Sequence, residues 1–273
     1  MKIHQGVYQF FADNDCIRNF ESYDEFEGEA RLTGGQRFLN YVERREAGDF
    51  SDAGQVYDAK NANKTLANLV CSQFDGERLV KIGSRIQNFG YIKKDLPTLE
   101  LGCDNGIFLC CLASLNPQAK FVGVDCREAG IRLAQQRAEE LGLKNVEFVC
   151  DTAERYLETA GKNRFGLILS LFVWSEVVGD FIRNAQDANK RRQMFRMLSG
   201  ALAQGGKLIT FDRFGTDQER FAFANLVSQC GLSFSSKESF HLWFGSGRAP
   251  LFVFKKGAGS PVQMATLKKM KAV

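Results

Sequence analysis

The sequence predicts an α/β protein: an open, mostly parallel seven-stranded sheet with helices on both faces and its last strand antiparallel, plus an N-terminal helical cap. Three observations predict it. From Pro97 onward, short apolar strands alternate with amphipathic helices, the grammar of parallel α/β structure. A glycine-bearing turn, Gly102-Cys103-Asp104-Asn105-Gly106, joins the first of these strands to a helix. Before residue 97 apolar residues recur at helical spacing only.

In the N-terminal region Leu66, Leu69, Val70 and Phe74 share one helical face, as do Leu79, Ile82, Ile86 and Phe89. The first stretch is aromatic and acidic, with Tyr8, Phe10, Phe11, Phe20, Tyr23 and Phe26, and Gly34-Gly35 marks a break. Residues 1–95 therefore read as a cap whose aromatics either pack it onto the core or enclose a substrate. Strands are expected over Thr98–Leu101, Lys120–Val124, Val146–Cys150, Phe165–Leu171, Lys207–Phe211, Ser233–Ser239 and Leu251–Lys255. Helical faces lie between them: Ile131, Ala134, Ala138 and Leu141; Met194, Met197, Leu198, Ala201 and Leu202; Phe223, Leu226, Val227 and Cys230. No helix separates the last two strands, so they are expected to run antiparallel. Residues 96–256 form the predicted catalytic domain, and 257–273 a basic tail with little expected order and no catalytic role.

Composition bounds the function. The 273 residues are 44% hydrophobic and 25% charged, as in globular proteins with a substantial core. A net charge of +4 is too slight to imply nucleic-acid binding without clustering. Lys190-Arg191-Arg192 with Arg196 makes one basic helix face, which reads as a solvated face before a phosphate-binding one. There is no signal-peptide run and no stretch of about 18 apolar residues, so no membrane association and a cytoplasmic location are expected. Eight scattered cysteines read as free thiols. Two histidines and no Cys-x-x-Cys pair give no expected metal site.

The chemistry gathers at strand ends. Gly102 and Gly106 can take backbone conformations denied to other residues, opening a crevice at the strand's carboxyl end. The second strand ends in Asp125, 23 positions after Gly102, where a carboxylate can accept both hydroxyls of a ribose. The third ends at Asp151, which can accept from an adenine amine while a following main-chain N–H, at Thr152, serves a ring nitrogen.

These residues resemble the first motif of the class I, Rossmann-like S-adenosylmethionine-dependent methyltransferases: acid, any residue, glycine, any residue, usually glycine, any residue, glycine. Here it reads Glu100, Gly102, Asp104, Gly106, with Asp104 where the family usually has glycine. The resemblance runs over about residues 96–256, through Asp125, Asp151 and a fourth strand ending Leu169-Ser170-Leu171, to Gly205-Gly206 and the fifth strand. It implies S-adenosyl-L-methionine as cofactor. Glu100 would face its cationic end, the glycines its methionine portion, Asp125 its ribose and Asp151 its adenine. Cys103, Cys126, Thr152 and Ser170 complete the expected cofactor-binding set.

Methyl transfer from a sulfonium is an in-line displacement that gains much from alignment, so a catalytic base is optional. Glu176 follows the fourth strand, where many small-molecule members carry a histidine, and His241 has a pKa range suited to acid–base work; these two are the catalytic candidates. Trp174 either walls a pocket or packs. Cys103 lacks a visible histidine partner and is not expected to be a nucleophile. No Asn-Pro-Pro-aromatic sequence follows the fourth strand, which counts against enzymes that methylate exocyclic base amines. A small-molecule acceptor is expected, with RNA or protein as alternatives. The rival classes are a non-catalytic binding module and an NAD-dependent oxidoreductase, whose G-x-G-x-x-G spacing is missing.

Overall fold

The computed structural model describes residues 2–49, 51–52, 54–174, 188–212, 214, 216–244, 247–257 and 261–272. Six helices come first: α1 (Gln5–Asp13), α2 (Tyr23–Leu32), α3 (Gln36–Glu46), α4 (Gln55–Lys60), α5 (Lys64–Phe74) and α6 (Gly76–Asn88). Alternation follows as β1 (Thr98–Leu101), α7 (Ile107–Leu115), β2 (Phe121–Asp125), α8 (Glu128–Glu140), β3 (Val146–Cys150), α9 (Ala153–Thr159), β4 (Phe165–Leu171), α10 (Ala188–Ala201) and β5 (Leu202–Phe211). Then come α11 (Asp217–Gln229), β6 (Leu232–Phe234), β7 (Phe240–Phe244), β8 (Gly247–Lys256), α12 (Met264–Lys268) and β9 (Lys271–Ala272). The chain divides into two compact units, residues 1–89, 103–117 and 125–150, and residues 90–102, 118–124 and 151–273.

The first unit holds α1–α8 and one whole strand, β3. α2 and α5 begin where a side chain satisfies a free N–H group of the helix start: Ser22 Oγ accepts from Glu25 N at 3.2 Å and Asn63 Oδ1 from Leu66 N at 2.9 Å. Phe26, Ala30, Phe38, Leu39, Val56, Leu66, Leu69 and Val70 form its buried cluster. Phe26 stacks edge-on with Phe20 and Phe74 at 5.6 and 5.4 Å between centroids. Of the expected cap aromatics, Phe11 and Phe26 are fully buried and Tyr8 and Tyr23 are exposed. Gly106, at φ +70°, starts α7 where an added Cβ would stand 2.6 Å from Ala134 Cβ and 2.7 Å from Phe148 Cζ. Only glycine lets α7 start this close to α8 and β3.

The second unit carries a sheet in the order β2-β1-β4-β5-β8-β7-β9, with β6 on β8. β2, β1, β4 and β5 are parallel, in register Leu101↔Val124, Leu101↔Ser170 and Ser170↔Thr210. β8 is antiparallel to β5 (Phe211↔Leu251) and to β7 (Phe240↔Leu251). β1 and β4 are buried at every residue, as central parallel strands are.

The α/β class and the mostly parallel sheet agree with the sequence; the strand count does not, because nine strands form among the described residues where seven were expected. Phe240-His241-Leu242 is a strand rather than a connection: Phe240 and Leu242 are buried with the half-exposed His241 between them, the period of two. Within the expected tail Met264–Lys268 and Lys271–Ala272 form α12 and β9, and β9 pairs parallel to β7 (Phe240↔Lys271); the last expected strand, Leu251–Lys255, lies in β8 and is antiparallel to β5 and β6, as expected. β6 stops at Phe234, short of Ser239, whose hydroxyl accepts from Val253 N at 2.9 Å and donates to Ser235 O at 2.7 Å. Leu202, read as helical, opens β5 opposite Phe165. The register shifts before Leu167↔Lys207, and the displaced stretch holds Gly205 at φ +74°, a bulge that glycine permits. Among the described residues no helix is long and apolar enough to cross a membrane.

Candidate functional site

In the first unit the turn Cys103–Gly106 meets the end of β2 through the main chain. Asp104 N donates to Asp125 Oδ2 at 2.9 Å, and Arg127 N donates to Asp125 Oδ1 at 2.8 Å. Each carboxylate oxygen is thereby oriented by one peptide N–H and keeps lone pairs for further donors. Burial pushes the Asp125 carboxyl above the usual carboxylate value, the charge of Asp104 adds to this, and the two N–H groups and Lys60 oppose it. A ligand bringing hydroxyl donors would relieve that cost.

Asp104 occupies the left-handed region at φ +49°, uncommon for any residue but glycine. Its side chain is engaged on both oxygens: Asn61 Nδ2 donates to Oδ1 at 2.6 Å, and Lys60 Nζ lies 2.7 Å from Oδ2. Asn105 Nδ2 donates to Asp104 Oδ2 at 3.2 Å and to Asn61 Oδ1 at 3.1 Å. Asn61 and Asn105 are buried, so this network sits in a medium where such bonds hold geometry well.

A cavity of about 710 Å³ is lined by Cys126 and Arg127, which follow Asp125, by Arg132 and Gln136 of α8, by Asp58 of α4 and by Asn61 just after it. Arg127 Nη1 pairs with Asp58 Oδ2 at 3.2 Å across it. Cys126 is exposed and Cys103 buried.

The remaining expected residues belong to the second unit. Glu100 is buried on β1 between Gly123 and Leu169 of the neighbouring strands. Gly102, at φ +70°, donates its N–H to Val124 O at 2.8 Å, and an added Cβ would collide with Val173. Ser170 is fully buried on β4. Asp151 Oδ1 accepts from Thr152 N at 2.8 Å, and Thr152 Oγ1 caps α9 by accepting from Arg155 N at 3.2 Å. His241 lines a separate cavity of about 180 Å³ with Asp217, Arg220, Phe252 and Lys268. Glu176 lies outside the described residues. Trp174 is fully buried and stacks on Phe195 at 5.0 Å, the packing alternative.

The structure therefore brings Cys103, Asp104, Gly106, Asp125 and Cys126 together in one unit, and Glu100, Gly102, Ser170, Asp151, Thr152 and His241 lie in the other. Sequence reasoning missed Lys60, Asn61, Arg127 and Asp212. For Asp212 the signal was available, an acid at the carboxyl end of a strand as at Asp125; it is buried and accepts from Trp174 N at 2.7 Å. For Lys60 and Asn61, 44 and 43 residues before Asp104, spacing offers none.

Residues 92–228 match a family described as "Methyltransferase domain". A tRNA (guanine-N(7)-)-methyltransferase of Rubrobacter xylanophilus is 44% identical over 52 residues, 19% of this chain and 23% of that protein. One from Leifsonia xyli subsp. xyli is 30% identical over 128 residues, 46% of this chain and 52% of that protein. Those matches span from about a quarter to about half of the relatives' own length. Among solved structures, StiE O-MT shares the fold with a TM-score of 0.52 at 13% identity, over 72% of this chain and 84% of that one.

Proposed function

Since the chain belongs to the methyltransferase-domain family, of the class I S-adenosylmethionine-dependent kind, we propose that it methylates RNA at a purine ring nitrogen. The observation that carries the cofactor part is the fixed carboxylate of Asp125, oriented by two peptide N–H groups, with the next two residues, Cys126 and Arg127, lining a cavity of about 710 Å³. A carboxylate with free lone pairs beside such a space suits a ribose diol. The acceptor rests on the curated relatives, named tRNA (guanine-N(7)-)-methyltransferases, and it replaces the small molecule expected from the sequence.

Bound S-adenosylmethionine supplies an electrophilic methyl group on a sulfonium sulfur. A pyridine-type ring nitrogen would take that methyl on its lone pair, the sulfur keeping the electron pair of the broken C–S bond. No proton leaves that nitrogen, so the protein's task is to align the reactants, and no base is required. Gly102, Cys103, Asp104 and Gly106 are proposed for the methionine portion, Glu100 for its cationic end, Asp125 and Cys126 for the ribose side, and Asp151 and Thr152 for the adenine. Ser170 is kept with the cofactor-binding set, and Glu176 and His241 are kept as the catalytic candidates.

The test is calorimetric titration with S-adenosylhomocysteine, then transfer of a tritiated methyl group to bulk tRNA with mass-spectrometric identification of the labelled nucleoside. Micromolar binding and a ring-methylated purine are expected. Label confined to a metabolite fraction overturns the RNA acceptor, and absence of binding overturns the cofactor assignment.

A further inference from the structure

We propose that Lys60 and Asn61, on and just after α4, are positioning residues for the cofactor ribose, acting through the side chain of Asp104; this rests on the reading that Asp125 takes that ribose. The residue at 104 is the departure from the family motif. An aspartate held at φ +49° carries a left-handed backbone that is unfavourable in an L-residue, a cost glycine would avoid.

What the aspartate adds is an arm. A glycine at 104 would offer the same N–H to Asp125 and nothing to α4. The aspartate instead fixes the turn from two sides. Its main chain donates to Asp125 Oδ2 at 2.9 Å. Its carboxylate is held by Asn61 Nδ2 at 2.6 Å, Lys60 Nζ at 2.7 Å and Asn105 Nδ2 at 3.2 Å. The connection runs without a break from α4 through the Asp104 side chain and its main-chain N–H to the acid proposed to grip the ribose.

The network is built rather than incidental. Asn61 and Asn105 are 5% and 4% exposed, and the Lys60 side chain only 13%. Burial pulls the Lys60 ammonium down, but the Asp104 carboxylate beside it more than reverses this and keeps it above the ordinary lysine value. The Asp104 charge raises the cost of ionising Asp125, and Lys60, paired with Asp104 at 2.7 Å, is the cation that opposes this. Taking the cation away leaves the turn strained, its arm held by amides alone, and the ribose acid harder to keep charged.

The experiment is a double-mutant cycle read by calorimetric S-adenosylhomocysteine affinity on the full chain, with thermal melts to confirm that each variant folds. Lys60→Met is expected to weaken binding at least tenfold, about 1.4 kcal/mol. In an Asp104→Gly background, which restores the family's glycine and removes the arm, the same Lys60→Met change is expected to alter affinity less than twofold. Lys60→Arg, which keeps a cation within reach of Asp104, is expected to bind within threefold of wild type. An equal loss in both backgrounds would assign Lys60 a general structural role and overturn the proposal, as would no loss in either. If the wild-type chain binds no S-adenosylhomocysteine, the ribose reading falls and this inference with it; if only the coupling is missing, the ribose reading stands alone.

Discussion

The main-chain N–H of Trp174 donates to Oδ2 of the buried Asp212 at 2.7 Å, fastening the segment after β4 to the residue that follows β5. Both strands end at the edge where a parallel α/β sheet places its ligands, so this bond sets the floor on which β4 and β5 hand over to their loops. Asp212→Ala leaves a buried N–H without its acceptor, a loss of about 1–3 kcal/mol. Asp212→Asn retains an acceptor oxygen and is expected to lose less than half as much in urea melts. Equal losses would show that the charge matters and the acceptor does not.

Asp125 gives a pH signature. Burial first, and the Asp104 charge second, raise its pKa above the ordinary 3.8. A raised folded-state value means a stability contribution that is complete below about 3.8 and lost as pH rises through the folded value. Asp125→Asn removes this dependence while losing one acceptor at every pH. The difference in Tm, variant minus wild type, is therefore expected to grow in the variant's favour between about pH 3.8 and 7. A difference that is flat or moves the other way contradicts the burial of an ionised Asp125. At pH 7 the same variant should bind S-adenosylhomocysteine at least tenfold more weakly.

Gly106→Ala tests close approach against backbone strain. The added methyl must find room 2.6 Å from Ala134 and 2.7 Å from Phe148, at φ +70°. Gly142 has a similar φ of +66° with nothing within 4 Å, so Gly142→Ala reports the left-handed backbone alone, roughly 1 kcal/mol. Gly106→Ala is expected to cost about 1–3 kcal/mol beyond that, the range for overpacking, and Ala134→Gly in the same chain to recover part of it. Similar losses at the two glycines would mean that α7 shifts freely to accommodate the methyl.

Much of the fold was legible because it depends on local periodicity. β1, β3 and β4 begin and end at the expected residues, since each is an apolar run bounded by turn residues. The acid after β2 was legible for the same reason: a charge that ends an apolar strand stands out. What escaped was pairing that depends on distant segments. β7 carries alternating burial over so few residues that it read as a connection, and β9 is only two residues whose order comes from β7. The arm from α4 to Asp104 escaped because Asn61 and Lys60 carry no pattern of their own; α4 is six residues long, and their meaning comes from what folds against them. The glycine missing from the motif was visible in the sequence, while the reason an aspartate is tolerated there lay 43 and 44 positions away.

β9 also decides how the sheet ends. β7 is paired to β8 along its length on one side, and on the other β9 covers it at Phe240 and His241. A preparation cut after residue 257 would uncover those two residues as well and leave the strand Phe240–Phe244 with that flank bare. Bare strand flanks invite other chains to add on, so handling of a shortened protein would be governed by precipitation, with S-adenosylhomocysteine affinity a poor guide to its quality.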